Sequence, residues 1–224
     1  MKKQGEIYVN NDADKWFERN KYSNHNCFTE YLTGIFPKSF LRSKTIAEFG
    51  VGRGNNILFL SNYAQQIDGY DGSSKAIDNL KKIKESRTNI DGIEVNLGEE
   101  FVGLRTYDII IFGFFTYMLS NEEFKILVEN SKRLLNRNGY IYVYDFLSET
   151  MIEKVDSHND KLKVFKRNIG FYLDEMKDFY LQDFKLWDNS KLNEYMSKDN
   201  QHTLDLSIES DDYNWTFSSL FKLR

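Results

Sequence analysis

One cysteine, Cys27, and one proline, Pro37, are all that 224 residues contain of either type. A lone cysteine excludes an intramolecular disulfide and a cysteine-rich zinc site. A lone proline excludes proline-rich hinges, and neither an internal repeat nor a low-complexity linker breaks the chain. The longest apolar run, Ile109 to Phe115, falls far short of the ~20 residues that span a bilayer. The opening stretch MKKQGEIYVNNDADKW lacks the apolar core of a signal peptide, so a soluble cytoplasmic protein is expected. A formal net charge of -4 gives no electrostatic ground for a nucleic-acid or anionic-membrane partner. The basic cluster from Leu80 to Arg87 reads as the wet face of a helix, with Leu80 and Ile83 on its apolar side.

What the chain has in quantity is aromatic side chains, 18 Phe and 14 Tyr. Most must be core, because rings bury large areas; the surplus leaves room for an aromatic-lined pocket. Hydrophobic residues make up 41%, which excludes global disorder, and the length suits one domain.

The hydrophobic pattern alternates from Thr45 onward. TIAEF, QIDGY, IEVNL, YDIIIF and YIYVYDF read as strands. NNILFLSNYA, SSKAIDNLKKIKESR and NEEFKILVENSKRLLNRNG read as helices, the second capped by Ser73 or Ser74 and the third ended by Gly139. Consecutive apolar residues at Ile109–Phe112 and Tyr140–Tyr144 predict strands covered on both faces. The expected fold is an α/β, Rossmann-like open sheet, mostly parallel, with helices on both faces. Period-two alternation at Leu204, Leu206 and Ile208, and again from Tyr213 to Phe221, predicts a closing antiparallel hairpin strand. Asp12 is placed to cap a helix carrying Trp16, Phe17 and Tyr22. A helix near YLDEMKDFYL and a strand in DFKLW complete the reading.

The stretch TIAEFGVGRGNN carries Gly50, Gly52 and Gly54 between a strand and a helix, where a backbone can approach a ligand closely. A nicotinamide fingerprint needs its third glycine at Asn55, and a P-loop needs Gly-Lys-Ser/Thr, which does not follow Gly54. Glu48 lies two residues ahead of the first glycine, placed to face a cationic group. Asp71, about twenty residues on, ends the second strand, where a carboxylate suits the hydroxyls of a ribose.

These residues resemble the class I S-adenosylmethionine-dependent methyltransferases. AEFGVGRG, GYDGS, NLGEEF, YDIIIFGFFTYML and LLNRNGYIYVYDF are similar, in order, to that family's motifs from Thr45 to Phe146. The resemblance implies S-adenosylmethionine as cofactor and S-adenosylhomocysteine as product. It implies that Glu48 and Gly50 hold the methionine end, Gly52 and Gly54 allow close approach, and Asp71 holds the ribose. Gly72 and Ser73 would flank the adenine, Glu99 or Glu100 would reach its amino group, and Phe101 would pack on it. Phe112 and Gly113 would lie beside the sulfonium. The resemblance also divides the chain into an N-terminal helical lid, 1–44, and a methyltransferase domain, 45–224.

For the acceptor, FGFF in the fourth segment lacks the signature of base-methylating enzymes and the aspartate of magnesium-dependent catechol-type ones. No metal ligand set is expected. A hydroxyl acceptor gains from a general base, for which Asp145 and His158, with Asp156 behind them, are the candidates. Arg53 is expected to point to solvent, with contact to an acidic substrate as the alternative. DKWFERNK and KVFKRNIGFYLDEMKDFY resemble segments of methyltransferases of bacterial surface-polysaccharide pathways. That likeness implies Trp16, Arg19 and Asn20 in a lid, with Tyr172 and Lys166 near a sugar or related polar metabolite. Methylation of an amine, or a non-catalytic binding role, remain alternatives, in a monomer or homodimer.

Overall fold

Residues 3–20, 26–188 and 215–224 are described by the computed structural model. Four helices precede the first strand: α1 (Gln4–Asn11), α2 (Ala13–Arg19), α3 (Asn26–Ile35) and α4 (Lys38–Leu41). The alternating stretch then gives β1 (Thr45–Phe49), α5 (Asn55–Leu60), β2 (Gln66–Asp71), α6 (Ser74–Lys84), β3 (Ile90–Glu94) and β4 (Tyr107–Gly113). A 3-10 turn at Thr116–Met118 leads into α7 (Asn121–Leu134) and β5 (Leu135–Leu147). β6 (Ile152–Val155), β7 (Lys163–Lys166), α8 (Ile169–Glu175), β8 (Phe179–Asp188) and β9 (Trp215–Leu223) follow.

Seven strands form one sheet in the order β3-β2-β1-β4-β5-β9-β8. β1 through β5 run parallel, and β9 lies antiparallel to both its neighbours. The continuous apolar runs have the predicted cause. Ile109 and Ile111 of β4 pack with α3, α5 and α6, while Ile110 and Phe112 pack with α7 and α8. Helices thus cover both faces of the parallel strands. Strand order reverses between β1 and β4, so their carboxyl ends open the crevice where such sheets bind ligands.

Several local expectations change. α3 and α4 bury Phe28, Leu32 and Leu41 completely in the core, whereas α1 and α2 stand at the carboxyl ends of the parallel strands. Asp12 precedes α2 but makes no capping bond; its carboxylate takes the Arg19 guanidinium instead, at 2.9 Å. Ser73 does cap α6, accepting from the Ala76 amide. α7 stops at Leu134, and the left-handed residue is Asn138 rather than Gly139. β9 pairs with β8, a strand that absorbs the end of the expected YLDEMKDFYL helix. The expected partner at Leu204–Ile208 lies outside the described residues, as does Tyr22. The β6–β7 hairpin had no counterpart in the pattern, since IEKV and KVFK carry their apolar residues without period-two alternation. Among the described residues, no helix is long and apolar enough to cross a membrane.

α7 starts in a capping box: the Ser120 hydroxyl accepts from the Glu123 amide, and the Glu123 carboxylate accepts from the Ser120 amide. Ser120→Ala should lower stability by ~1 kcal/mol, a fall of roughly 2–4 °C in Tm, checked by calorimetric melting.

Candidate active site

The turn after β1 follows from its glycines. Gly50, Gly52 and Gly54 all adopt positive φ, at 74°, 50° and 75°, a region that side chains disfavour. A Cβ at Gly50 would stand 2.5 Å from the Phe115 ring, and one at Gly52 would stand 3.1 Å from Trp16. The turn therefore passes directly beneath a cavity at the carboxyl ends of β1 and β4. Its empty volume is about 950 Å³ counting space open to solvent.

Two buried acids line it. Glu48 receives the Asn56 amide on Oε1 at 2.6 Å, and its Oε2 is buried with no hydrogen-bond partner. Burial pushes this carboxyl up to about 8 against the Asn56 bond, with Asp71 adding repulsion. Asp71 accepts from the Gly52 amide at 2.9 Å and the Ser73 amide at 2.8 Å. Burial raises it to about 6 despite those bonds. Asn56 also donates to the Tyr144 hydroxyl at 2.5 Å, so one amide orients both the acid and the phenol.

The roof is α1 and α2, which contribute Tyr8, Val9 and Trp16 to the cavity wall. They form a strap held at two ends. At one end, Gln4 donates to the Met118 and Lys163 carbonyls, and the Gly5 amide donates to Glu123. At the other, Asp14 accepts from Ser73, Ser74 and the Lys75 amide. The Arg53 guanidinium stacks on Phe17 at 4.1 Å rather than extending into solvent.

The far wall is the segment after β4. Gly113 and Phe114, Phe115, Tyr117, Met118 and Leu119 face the cavity. Phe114 has φ 49°, a strain of order 1–3 kcal/mol for a non-glycine residue. Burial raises the Tyr117 phenol, and Asp145 adds to the rise.

Of the residues singled out from sequence, Glu48, Gly50, Gly52, Asp71, Gly72, Gly113 and Trp16 meet at this cavity. Ser73 sits behind Asp71, and Gly54 caps α5. Others are elsewhere. Glu99 and Glu100 stay out of the wall, where Val95, Asn96 and Leu97 stand. The reason is that β3 ends at Glu94, three residues before the predicted strand end. Phe101 packs on Phe49 and Tyr70, and Phe112 packs on Phe49. Asp145 is buried beneath the turn at Thr116–Met118, and Tyr172 is buried beside Thr116. His158 lies exposed in the β6–β7 connection, where Asp156 accepts from its backbone amide. Arg19 pairs with Asp12, Asn20 caps the end of α2 on the Trp16 carbonyl, and Lys166 lies on β7. Tyr8, Asn56 and Tyr144 join the site with no sequence motif to mark them. Tyr144 was legible in principle, because it stands in register with Gly113, whose missing side chain makes room for it.

The residues present fit an amino-acid nucleoside. A glycine cradle runs below, a buried carboxyl with one unpartnered oxygen lines the cavity, and a second acid ends β2. Fold and site together define a class I S-adenosylmethionine-dependent methyltransferase. A family profile described as "Tellurite resistance protein TehB" matches residues 11–206; the chain belongs to the TehB family, and S-adenosylmethionine is its cofactor.

The fold is shared with TehB from Haemophilus influenzae at 16% identity and TM-score 0.65, covering 95% of this chain and 67% of that one. The N-methyltransferase NodS from Bradyrhizobium japonicum WM9, solved with S-adenosylhomocysteine, has 11% identity and TM-score 0.63, covering 95% and 99%. Coclaurine N-methyltransferase has 12% identity and TM-score 0.67, covering 87% and 70%. No curated protein matches the sequence.

Folding raises the Glu48 carboxyl above its ordinary 4.5. Its contribution to stability is therefore full at low pH and lost as pH rises toward 8. A cofactor ammonium beside Oε2 reverses that preference. Binding at pH 7 should release about one proton from Glu48, and affinity should strengthen from pH 6 to 8. Calorimetry in buffers of different ionisation enthalpy reads the release, and Glu48→Gln should remove it.

Proposed function

We propose that the chain methylates a small molecule held beneath the α1–α2 strap, through an acceptor atom that needs no protein base, with an amine nitrogen favoured. In this reading α1 and α2 act as the lid of the 1–44 segment, residues 45–224 hold the cofactor, and the enzyme works in the cytoplasm as a monomer or homodimer. Bound S-adenosylmethionine supplies a methyl group on a cationic sulfur, an electrophile that a free lone pair takes directly.

The observation that carries the proposal is the make-up of the cavity. Tyr8, Trp16, Phe114, Tyr117 and Tyr144 line it, while the three candidate bases, Asp145, His158 and Asp156, are absent from it. Aromatic faces favour cations, which suits both a sulfonium and a methylated amine. Glu48 and Asp71 orient the cofactor from below, and the strap excludes water above. A sugar hydroxyl, the acceptor implied by the surface-polysaccharide likeness, would lack the base it gains from; none of the comparisons above supports it. A second acceptor has the family's description behind it. Tellurite carries its own lone pair, and like an amine it requires no deprotonation, with Arg53 the cation in the wall.

Labelled S-adenosylmethionine offered with simple amines, amino sugars, nucleotide sugars and tellurite tests this. The expected product is an N-methyl compound, formed faster as pH rises from 7 to 9 and the free-amine fraction grows. Product from tellurite alone would favour the second reading; transfer only to sugar hydroxyls would overturn both.

A further inference from the structure

Among the described residues, Arg167 is the largest fully buried side chain, at 0% exposure. A buried guanidinium is costly unless its donors are used. Its Nη1 donates to the Thr116 carbonyl at 2.8 Å, its Nη2 to the Leu119 carbonyl at 2.5 Å, and its Nε to Asn121 at 3.2 Å. Phe124, Phe165 and Phe171 pack rings around it at 4.8–5.5 Å. The planar fork therefore spans the 3-10 turn from its first residue to the residue after it, a geometry lysine cannot copy.

Asp145 grips the same turn from the sheet. Its Oδ2 accepts the Thr116 hydroxyl and the Tyr117 amide, the latter at 3.2 Å, and its Oδ1 accepts the Phe146 amide at 2.8 Å. The Tyr172 hydroxyl lies 3.1 Å from Thr116 Oγ1. An ionised carboxylate only accepts, so Thr116 gives its proton to Asp145 and receives one from Tyr172. The Arg167 guanidinium acts on the Tyr172 phenol through its charge. Donors run one way, from Tyr172 through Thr116 to Asp145. None of these four lines the cavity, yet the turn they hold carries Tyr117, Met118 and Leu119 into its wall.

We propose that Arg167 and Asp145 are positioning residues for methyl transfer, which clamp the Thr116–Met118 turn from two sides and so fix Tyr117 against the acceptor. This rests on the cavity being the methyl-transfer site. A misplacement of ~1 Å in such a wall costs about a hundredfold in rate, whereas Glu48 and Asp71, which would hold the cofactor, sit on β1 and β2, to which the clamp makes no hydrogen bond.

The test uses the full chain saturated with S-adenosylhomocysteine and 3-fluorotyrosine placed at position 117. The parent background should give one sharp fluorine resonance. Arg167→Lys and Thr116→Val should shift or broaden it, Thr116→Ser should restore it, and S-adenosylhomocysteine affinity should stay unchanged in all three. With the best acceptor from the panel above, kcat should fall about tenfold to a hundredfold in the first two, while the KM for S-adenosylmethionine is kept. Unchanged resonance and kcat in variants that bind S-adenosylhomocysteine stoichiometrically would overturn the proposal. So would loss of that binding in Thr116→Val, which keeps the side-chain volume and decides the matter if Arg167→Lys does not fold. Wild-type protein that methylates nothing in the panel would sink the functional reading, and the fluorine signal would still decide the clamp.

Discussion

The Gly52 amide donates to the Asp71 carboxylate at 2.9 Å, and through that bond the turn after β1 is tied to the end of β2. It adds a side-chain tie to the backbone bond from the Gly50 amide to the Tyr70 carbonyl at 2.8 Å, and three alternate left-handed glycines need such ties, since glycine loses the most freedom on ordering. The same carboxylate takes the Ser73 amide, so it also sets where α6 begins. One acid thus organises the floor of the cavity and the start of a helix. It does so while buried, with its own protonation shifted upward. Glu48 is shifted further and has an oxygen left over. The free site carries an electrostatic debt on its acidic side that a cationic ligand removes, which is a physical reason for the turn to prefer a sulfonium amino acid over a pyrophosphate.

The opposite wall is built on other terms. There the main chain of the segment after β4 is irregular, with Phe114 at positive φ, and the Phe114, Met118 and Leu119 amides find backbone carbonyls. Side chains add the rest: Arg167 for two carbonyls, Asp145 for one amide and one hydroxyl. A buried cation and a buried anion serve the same few residues without a direct bond between them being needed. Apolar rings close the remaining space around Arg167.

Much of this was legible in the chain. The β1–β5 alternation, the glycine turn and the acids at Glu48 and Asp71 follow from period, spacing and strand ends, which sequence carries directly. What was not legible is parity. Tyr144 and Asp145 are adjacent at the end of β5, and a strand sends neighbours to opposite faces. Tyr144 received the cavity and Asp145 the far side, the reverse of the chemical expectation that the acid would serve as base. A similar small offset moved the β3 strand end and exchanged Glu99 and Glu100 for Asn96. Tyr172 and Arg167 lay in a stretch with weak periodicity, where burial of polar groups cannot be inferred from pattern. Tyr8 came from a helix whose apolar spacing gives no sign that it faces a ligand.

The strap ends in Asp14, which accepts from Ser73, Ser74 and the Lys75 amide, the opening residues of α6. Any lifting of the strap would break these three bonds at the start of α6, which couples the position of the roof over the cavity to the order of that helix end.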